Sequence, residues 1–87
     1  MKMETVMTIR LPSEDVDAIN VISSLEKVDK STAARELVEL GRIYFAIQQY
    51  RAGKASVGRA AEIAGVPLGE MLDILTQLGV PGNLELD

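Results

Sequence analysis

A short alternating segment at the start of the chain constrains the fold most, because nearly everything after it has the pattern of helices. One set of alternate residues is apolar and consists of Met7, Ile9 and Leu11. The other set is mixed and consists of Val6, Thr8 and Arg10. This period-2 pattern predicts a β-strand with one buried face and one available face. A strand needs a neighbour to pair its backbone N–H and C=O groups. Within the chain the only other candidate is the short tail at 84–86, so the pattern favours an antiparallel pairing of two copies about a two-fold axis.

Two helices are predicted after the strand. Ser13 is a suitable N-cap for the first helix, and apolar residues recur at helical spacing as far as about Lys27. Asp29 or Ser31 can cap the second helix, which extends to the neighbourhood of Arg51. Its apolar residues are too many for one stripe, and such a helix is usually covered from more than one side.

The second half of the chain predicts two shorter helices. The tract 51–56 is the best linker candidate, with Gly53 as the helix stop. A short helix is expected over 57–64, ending at Gly65, and another over 68–78. The two are separated by only a few residues, so they should form a pair.

The composition excludes most kinds of chemistry. The chain has no Cys and no His, which removes thiolate nucleophiles, disulfides, the usual zinc ligands and the usual general base. We therefore predict no enzyme, no metal site and no cofactor. A hydrophobic content of 47% in only 87 residues is high for a free-standing monomer, which favours self-association.

Charge and targeting signals limit which partners the protein can have and where in the cell it can be. The net charge of −4 argues against indiscriminate nucleic-acid binding, yet residues 1–52 carry 7 of the 9 basic groups, so one locally basic patch is allowed. The start lacks the apolar core of a secretion signal, and no apolar run is long enough to cross a bilayer. We expect a cytoplasmic protein with no membrane partner.

The order of elements in the first half forms a motif. A strand, RLP, a capped helix, a polar turn and then SxxxR at the start of a longer helix appear in TIRLPSEDVDAI (8–19) and DKSTAARELVELG (29–41). This order resembles the ribbon-helix-helix family of repressors and antitoxins. The resemblance implies a mainly α fold with one N-terminal β-strand, in which two copies form an intersubunit two-stranded antiparallel ribbon.

In that family the ribbon lies in the DNA major groove and alternate strand side chains read base edges. Carried over to this chain, the base-contacting residues are Thr8, Arg10 and Val6. The family also clamps phosphate with the start of its second helix, where free N–H groups favour an anion. Lys30 and Ser31 occupy that place. The alternative interpretation is that these polar residues are an ordinary solvated surface.

The segment VGRAAEIAGVPLGEMLDILTQLG in the second half resembles a helix-turn-helix. Its second helix carries Glu70 and Asp73 and no basic residue, so binding of that helix in a DNA groove is disfavoured. The whole layout is similar to a family of small uncharacterised prokaryotic proteins regarded as antitoxins, whose genes commonly neighbour a PIN-domain ribonuclease. The resemblance implies that this half holds the toxin, with these candidate contacts: Leu68, Met71, Leu72 and Leu75. The alternative is that their apolar side chains pack on the chain's own long helix or on the other subunit.

These inferences combine into one hypothesis. Residues 1–52 are predicted to be a ribbon-helix-helix domain for dimerisation and DNA binding, and residues 53–87 a helix-turn-helix-like pair that binds the toxin. The protein would be an antitoxin and transcriptional autoregulator, a homodimer able to pair into tetramers on double-stranded operator DNA. Two alternatives stay open: a plain dimeric repressor without a toxin, and an interaction module that never contacts DNA.

Overall fold

The computed structural model describes residues 4–80 as four α-helices joined by short connections. The helices are α1 (Ser13–Glu26), α2 (Lys30–Arg51), α3 (Val57–Ala64) and α4 (Leu68–Gln77). All four predicted helices are therefore confirmed, with ends close to those expected. By its internal contacts the chain divides into two compact units, Met1–Ala34 and Arg35–Asp87. The boundary predicted near residue 52 lies inside the second unit and stays a prediction.

The predicted N-terminal β-strand is wrong. Residues 4–12 have neither helical nor strand structure, and within 4–80 the structure contains no strand at all. The supposedly buried register is open to solvent, since Met7 is 80% exposed and Ile9 59% exposed. Without a strand there is no two-stranded ribbon, so the ribbon-helix-helix fold is wrong as well.

The physical reason lies in what a period-2 pattern reports. Alternation describes which side chains could share a face, but a strand also requires a ladder of hydrogen bonds to a neighbour. No segment within 4–80 supplies that neighbour. The tail at 84–86, the other candidate within the chain, lies outside the described residues.

The first unit is organised by local signals at helix ends. Ser13 is the first helical residue of α1 rather than its N-cap, a position that Pro12 occupies without a side-chain hydrogen bond. The helix ends at Lys27, which adopts a left-handed conformation with φ 57°. Of the two predicted caps of α2, Asp29 fills the role, because its Oδ1 accepts the Thr32 N–H at 2.8 Å, and Ser31 lies inside the helix.

The second unit has stronger end signals. The Ser56 hydroxyl accepts the Arg59 N–H at 3.1 Å at the start of α3. Gly65 ends α3 with φ 77°, and its N–H donates to the Ala61 carbonyl at 2.9 Å. The chain then turns through Pro67, which stands at the N-cap position of α4. The predicted pair of short helices is thus present, and the two helices pack on each other.

The core of the second unit is small and rich in alanine. Its buried residues come from α2, α3, α4 and the segment after α4, and they are Ala46, Ile47, Val57, Ala60, Ala61, Ala64, Met71, Leu75 and Val80. Small side chains on α3 let neighbouring elements approach closely, and Met71 is the one large side chain within 4–80 that is completely buried. The α3–α4 pair is therefore held by a few contacts around Met71.

Candidate interaction surfaces

The residues predicted to read DNA bases lie on the segment before α1 and are accessible. Val6 is 95% exposed, and Thr8 and Arg10 are also exposed. Arginine presents a planar fork of donors that suits guanine or a phosphate, and threonine offers a hydroxyl and a methyl group. The side chains are thus free to meet a ligand, but no β-ribbon fixes their spacing.

The residues predicted to bind phosphate lie at the start of α2. Lys30 and Ser31 are exposed in its first turn. One of the N–H groups of that turn is already engaged by the Asp29 carboxylate. The carboxylate also places a negative charge at the end of the helix that would attract an anion. Binding of a phosphate here would depend on Lys30 and on the backbone N–H groups of the first turn that do not bond to Asp29.

The four residues predicted to contact a toxin divide into two pairs. Met71 and Leu75 are buried, at 0% and 3% exposure, and belong to the core of the second unit. Leu68 and Leu72 are about half exposed on α4. The two exposed leucines are four residues apart, so they lie on one side of the helix. Of the four, only Leu68 and Leu72 are accessible to a partner, while Met71 and Leu75 belong to the core.

Helix α2 has two apolar sides. Ile43, Ala46, Ile47 and Tyr50 lie in or against the core of the second unit. A second set of residues surrounds the exposed Gly41, and we call it the outer face of α2: Leu37, Val38, Leu40, Gly41, Tyr44 and Phe45. Four of these six carry large exposed apolar side chains, with Tyr44 65% exposed and Val38 62% exposed. The number of apolar residues predicts that such a helix is covered from more than one side, but it does not say by what.

One structural contact between helices had no signal in the sequence. Arg42 reaches from α2 to the end of α3, where its Nε donates to the Ile63 carbonyl at 3.0 Å. Its guanidinium lies against Gly65, so closely that a Cβ atom there would be only 2.6 Å from a guanidinium nitrogen. The arginine therefore fastens α2 to the α3–α4 turn and satisfies a carbonyl at a helix C-terminus.

Residues 4–80 contain neither a metal site nor a membrane-spanning helix. No group of three or more acidic side chains is placed to hold a metal ion. None of the helices in this range combines the length and the apolar character needed to cross a membrane.

Comparison with known proteins finds relatives over most of the chain. The sequence model of a family described as "Uncharacterised protein family (UPF0175)" matches residues 3–87. A protein of Archaeoglobus fulgidus titled "UPF0175 protein" is 37% identical over 60 residues, which cover 69% of this chain and 69% of the relative. No solved structure matches the chain significantly.

Proposed function

Since the chain belongs to the uncharacterised protein family UPF0175, we propose a function from its own exposed surfaces: it is a dimeric antitoxin and transcriptional autoregulator of the cytoplasm. It holds a ribonuclease toxin with its C-terminal half and binds operator DNA with residues near its N-terminus. One observation carries the proposal. Large apolar side chains are exposed along α1, α2 and α4, as expected of a protein that binds other proteins. The chain has neither Cys nor His, the residues that most often act as nucleophile and general base in a catalytic site.

Binding of a protein partner is supported by α4. Leu68 and Leu72 present an apolar strip about one helical turn long, and Glu70 and Asp73 on the same helix are exposed. An apolar strip with acidic neighbours suits a helix laid in a groove that has a basic rim. A ribonuclease offers such a rim, because the surface that binds its polyanionic substrate must be basic.

The charge distribution supports the same division of labour. Residues 53–87 carry 5 acidic and 2 basic groups, so this half is more acidic than the first. It would be attracted to the RNA-binding surface of a ribonuclease and repelled by DNA. An inhibitor that covers that surface blocks substrate access without contacting the reacting atoms.

DNA binding is supported by exposed residues of the first unit. Arg10 can make a bidentate contact to guanine, and Thr8 can contact a base or a phosphate. Lys30 and Ser31 at the start of α2 offer one cation, one hydroxyl and helix N–H groups to a phosphate. We propose that the segment before α1 contacts DNA as an exposed arm, with Val6 making apolar contact only.

The test is co-purification of the chain with the ribonuclease encoded beside its gene, followed by a cleavage assay on single-stranded RNA. The parent chain should bind the ribonuclease and suppress cleavage. Leu68→Glu and Leu72→Glu should each weaken capture, because a carboxylate would be buried in the groove. Gln77→Glu introduces the same charge on the far side of α4 and should leave capture intact.

Duplex binding is measured separately, by titrating DNA from upstream of the gene at several salt concentrations. Arg10→Ala should remove sequence preference and cost about 1–3 kcal/mol at each half-site. Lys30→Ala should weaken binding to all sequences and flatten the salt dependence. DNA binding without ribonuclease capture would identify a plain repressor, and ribonuclease capture without DNA binding would identify an interaction module.

A further inference from the structure

The outer face of α2 carries no charged residue. The charged residues of this part of the helix are Glu39 and Arg42. With 3.6 residues per turn, Glu39 points to the side opposite Gly41. Arg42 lies at the margin of the face, and its guanidinium is drawn away to Ile63 and Gly65. Over about 12 Å of helix, from Leu37 to Phe45, the outer face is therefore apolar and uncharged.

Four of the apolar residues of this face are arranged symmetrically about Gly41. Leu37 and Phe45 stand four residues before and after it, and Val38 and Tyr44 stand three before and after it. If two such helices pack nearly antiparallel with Gly41 at the centre, the two-fold axis keeps each side of the face on the same side, so Leu37 of one meets Tyr44 of the other, and Val38 meets Phe45. Each contact joins an aliphatic and an aromatic side chain, and two-fold symmetry makes every contact twice.

Gly41 itself provides the room for a close crossing. A Cβ atom built at this position would meet nothing within 4 Å, so the chain's own atoms leave the space above the helix open. A residue without a side chain at the centre lets two helix backbones approach each other closely. A glycine in mid-helix costs about 1 kcal/mol relative to alanine, so a packing reason for its presence is expected.

We propose that the outer face of α2 is the surface on which a second copy of the chain packs, antiparallel and with the two-fold axis close to Gly41. This inference rests on the homodimer of the proposed function and names its interface. DNA is excluded as the occupant, because the face offers no cation to a phosphate. The acidic α4 is the better surface for a ribonuclease. A second copy is favoured because the aliphatic residues before Gly41 match the aromatic residues after it in a second, antiparallel helix. A two-fold interface requires such a self-complementary surface.

Cross-linking tests the position of the axis. The chain has no Cys, so Gly41→Cys introduces a single thiol where the two helices should be closest. Helix axes about 8–10 Å apart, with Cα atoms about 2.3 Å from each axis, place the two Cα atoms within disulfide range. Mild oxidation should give a covalent dimer within minutes, and Glu39→Cys on the opposite side should remain monomeric in a denaturing gel.

Charge exchange tests the pairing. Val38→Lys and Phe45→Glu should each weaken the dimer about a hundredfold or more in sedimentation equilibrium, because each buries a lone charge twice. A mixture of the two variants should form a heterodimer. In that heterodimer the introduced ammonium and carboxylate face each other on one side of the axis, and the parent pair remains on the other. The two positions are seven residues apart within one helix, about 10 Å along its axis, so they cannot restore each other inside a single chain.

The outcomes separate this inference from the function on which it rests. Rapid cross-linking at position 41 together with heterodimer formation supports it. Equal cross-linking at positions 39 and 41, or unweakened dimers of both charge variants, would place the interface elsewhere and overturn it, while ribonuclease and DNA binding could persist. A monomeric parent chain at all concentrations would overturn this interface and the dimer of the proposed function together. Should the charge variants lose their helical circular dichroism, the cysteine pair alone decides, since a side chain at position 41 meets nothing in its own chain.

Discussion

The two units of this chain differ in how much of their apolar surface they cover. Among the described residues of the first unit only Ala33 is buried, and no residue of α1 is buried although the helix carries Val16, Val21 and Leu25. The second unit contains a core of nine buried residues with five more packed against it. Apolar content is similar in the two, so content alone does not locate a core.

The difference shows where each unit obtains its stability. Burying a leucine or methionine side chain contributes about 1.5–3 kcal/mol to the free energy of unfolding, and Met71 and Leu75 make this contribution in the second unit. The first unit has no comparable side chain to draw on within 4–34, and its visible supports are helix-end hydrogen bonds of about 1 kcal/mol each. The second unit can therefore be stable by itself, whereas the first depends more on what covers its apolar side chains.

The largest expected effect comes from the centre of the second core. Met71→Asp should reduce the free energy of unfolding by about 4 kcal/mol or more, because it removes the buried side chain and leaves a carboxylate without a partner. Leu72→Asp, at the next residue but half exposed, should cost only about 0.5 kcal/mol. Urea unfolding followed by far-UV circular dichroism measures both.

This pair also decides how the predicted toxin contacts are used. If the two substitutions destabilise equally, the second unit is not organised around Met71 and the contrast between the units fails. If Leu72→Asp leaves folding intact and abolishes ribonuclease capture, the exposed pair on α4 is the binding strip.

The helices were predictable because their signals are local. Ser56 and Gly65 bracket α3, and hydrogen bonds to their neighbours hold both ends in the structure. Asp29 acts in the same way at α2. Such signals act within a few residues of chain, so they can be read without knowing what lies across from them.

What could not be predicted depends on contacts distant in sequence. The segment before α1 alternates like a strand, but a strand is a property of two segments, and no partner lies within 4–80. The same limit applies to α4, where spacing places Met71 and Leu72 on one apolar helix. Only packing against α2 and α3 shows that the first is core and the second is surface. Arg42 was missed because an exposed arginine carries no sign of the carbonyl that it will bind.

Two glycines of the second unit differ in what surrounds them. Gly53 and Gly65 both have φ near 75°, but a Cβ meets nothing at Gly53 and the Arg42 guanidinium at Gly65. Gly53→Ala should cost about 1 kcal/mol for the left-handed conformation alone. Gly65→Ala should cost about 2 kcal/mol, because the flexible end of Arg42 must also move and release the Ile63 carbonyl.

A double-mutant cycle isolates the contribution of the arginine. In an Arg42→Ala background, Gly65→Ala should cost no more than Gly53→Ala does, since the clash is gone. Equal costs at the two glycines in the parent chain would show that Arg42 yields freely and does not fasten α2 to the turn.

A smaller effect is expected from the first unit. Asp29→Ala removes the acceptor of the Thr32 N–H and should cost about 1 kcal/mol, whereas Lys30→Ala next to it should cost almost nothing. Hydrogen exchange should accelerate in the first turn of α2 and remain unchanged in α3 and α4. Equal acceleration in all three helices would mean that the two units unfold as one. The two units would then not differ in their free energies of unfolding.

The smallest effect is expected on the surface of the second unit. Arg59 and Glu62 form an ion pair of 3.0 Å one turn apart on α3, with side chains 67% and 70% exposed. Water screens such a pair, and ordering two long side chains offsets most of the attraction, so Arg59→Gln should cost about 0.5 kcal/mol or less. Glu62→Gln should cost about the same, and the coupling between the two should disappear in concentrated salt. Unfolding midpoints at low and high salt measure this.

A loss above about 1 kcal/mol would mean that surface charge holds α3 in place. The small alanine-rich core around Met71 would then not account for the stability of the second unit, which is the basis of its contrast with the first.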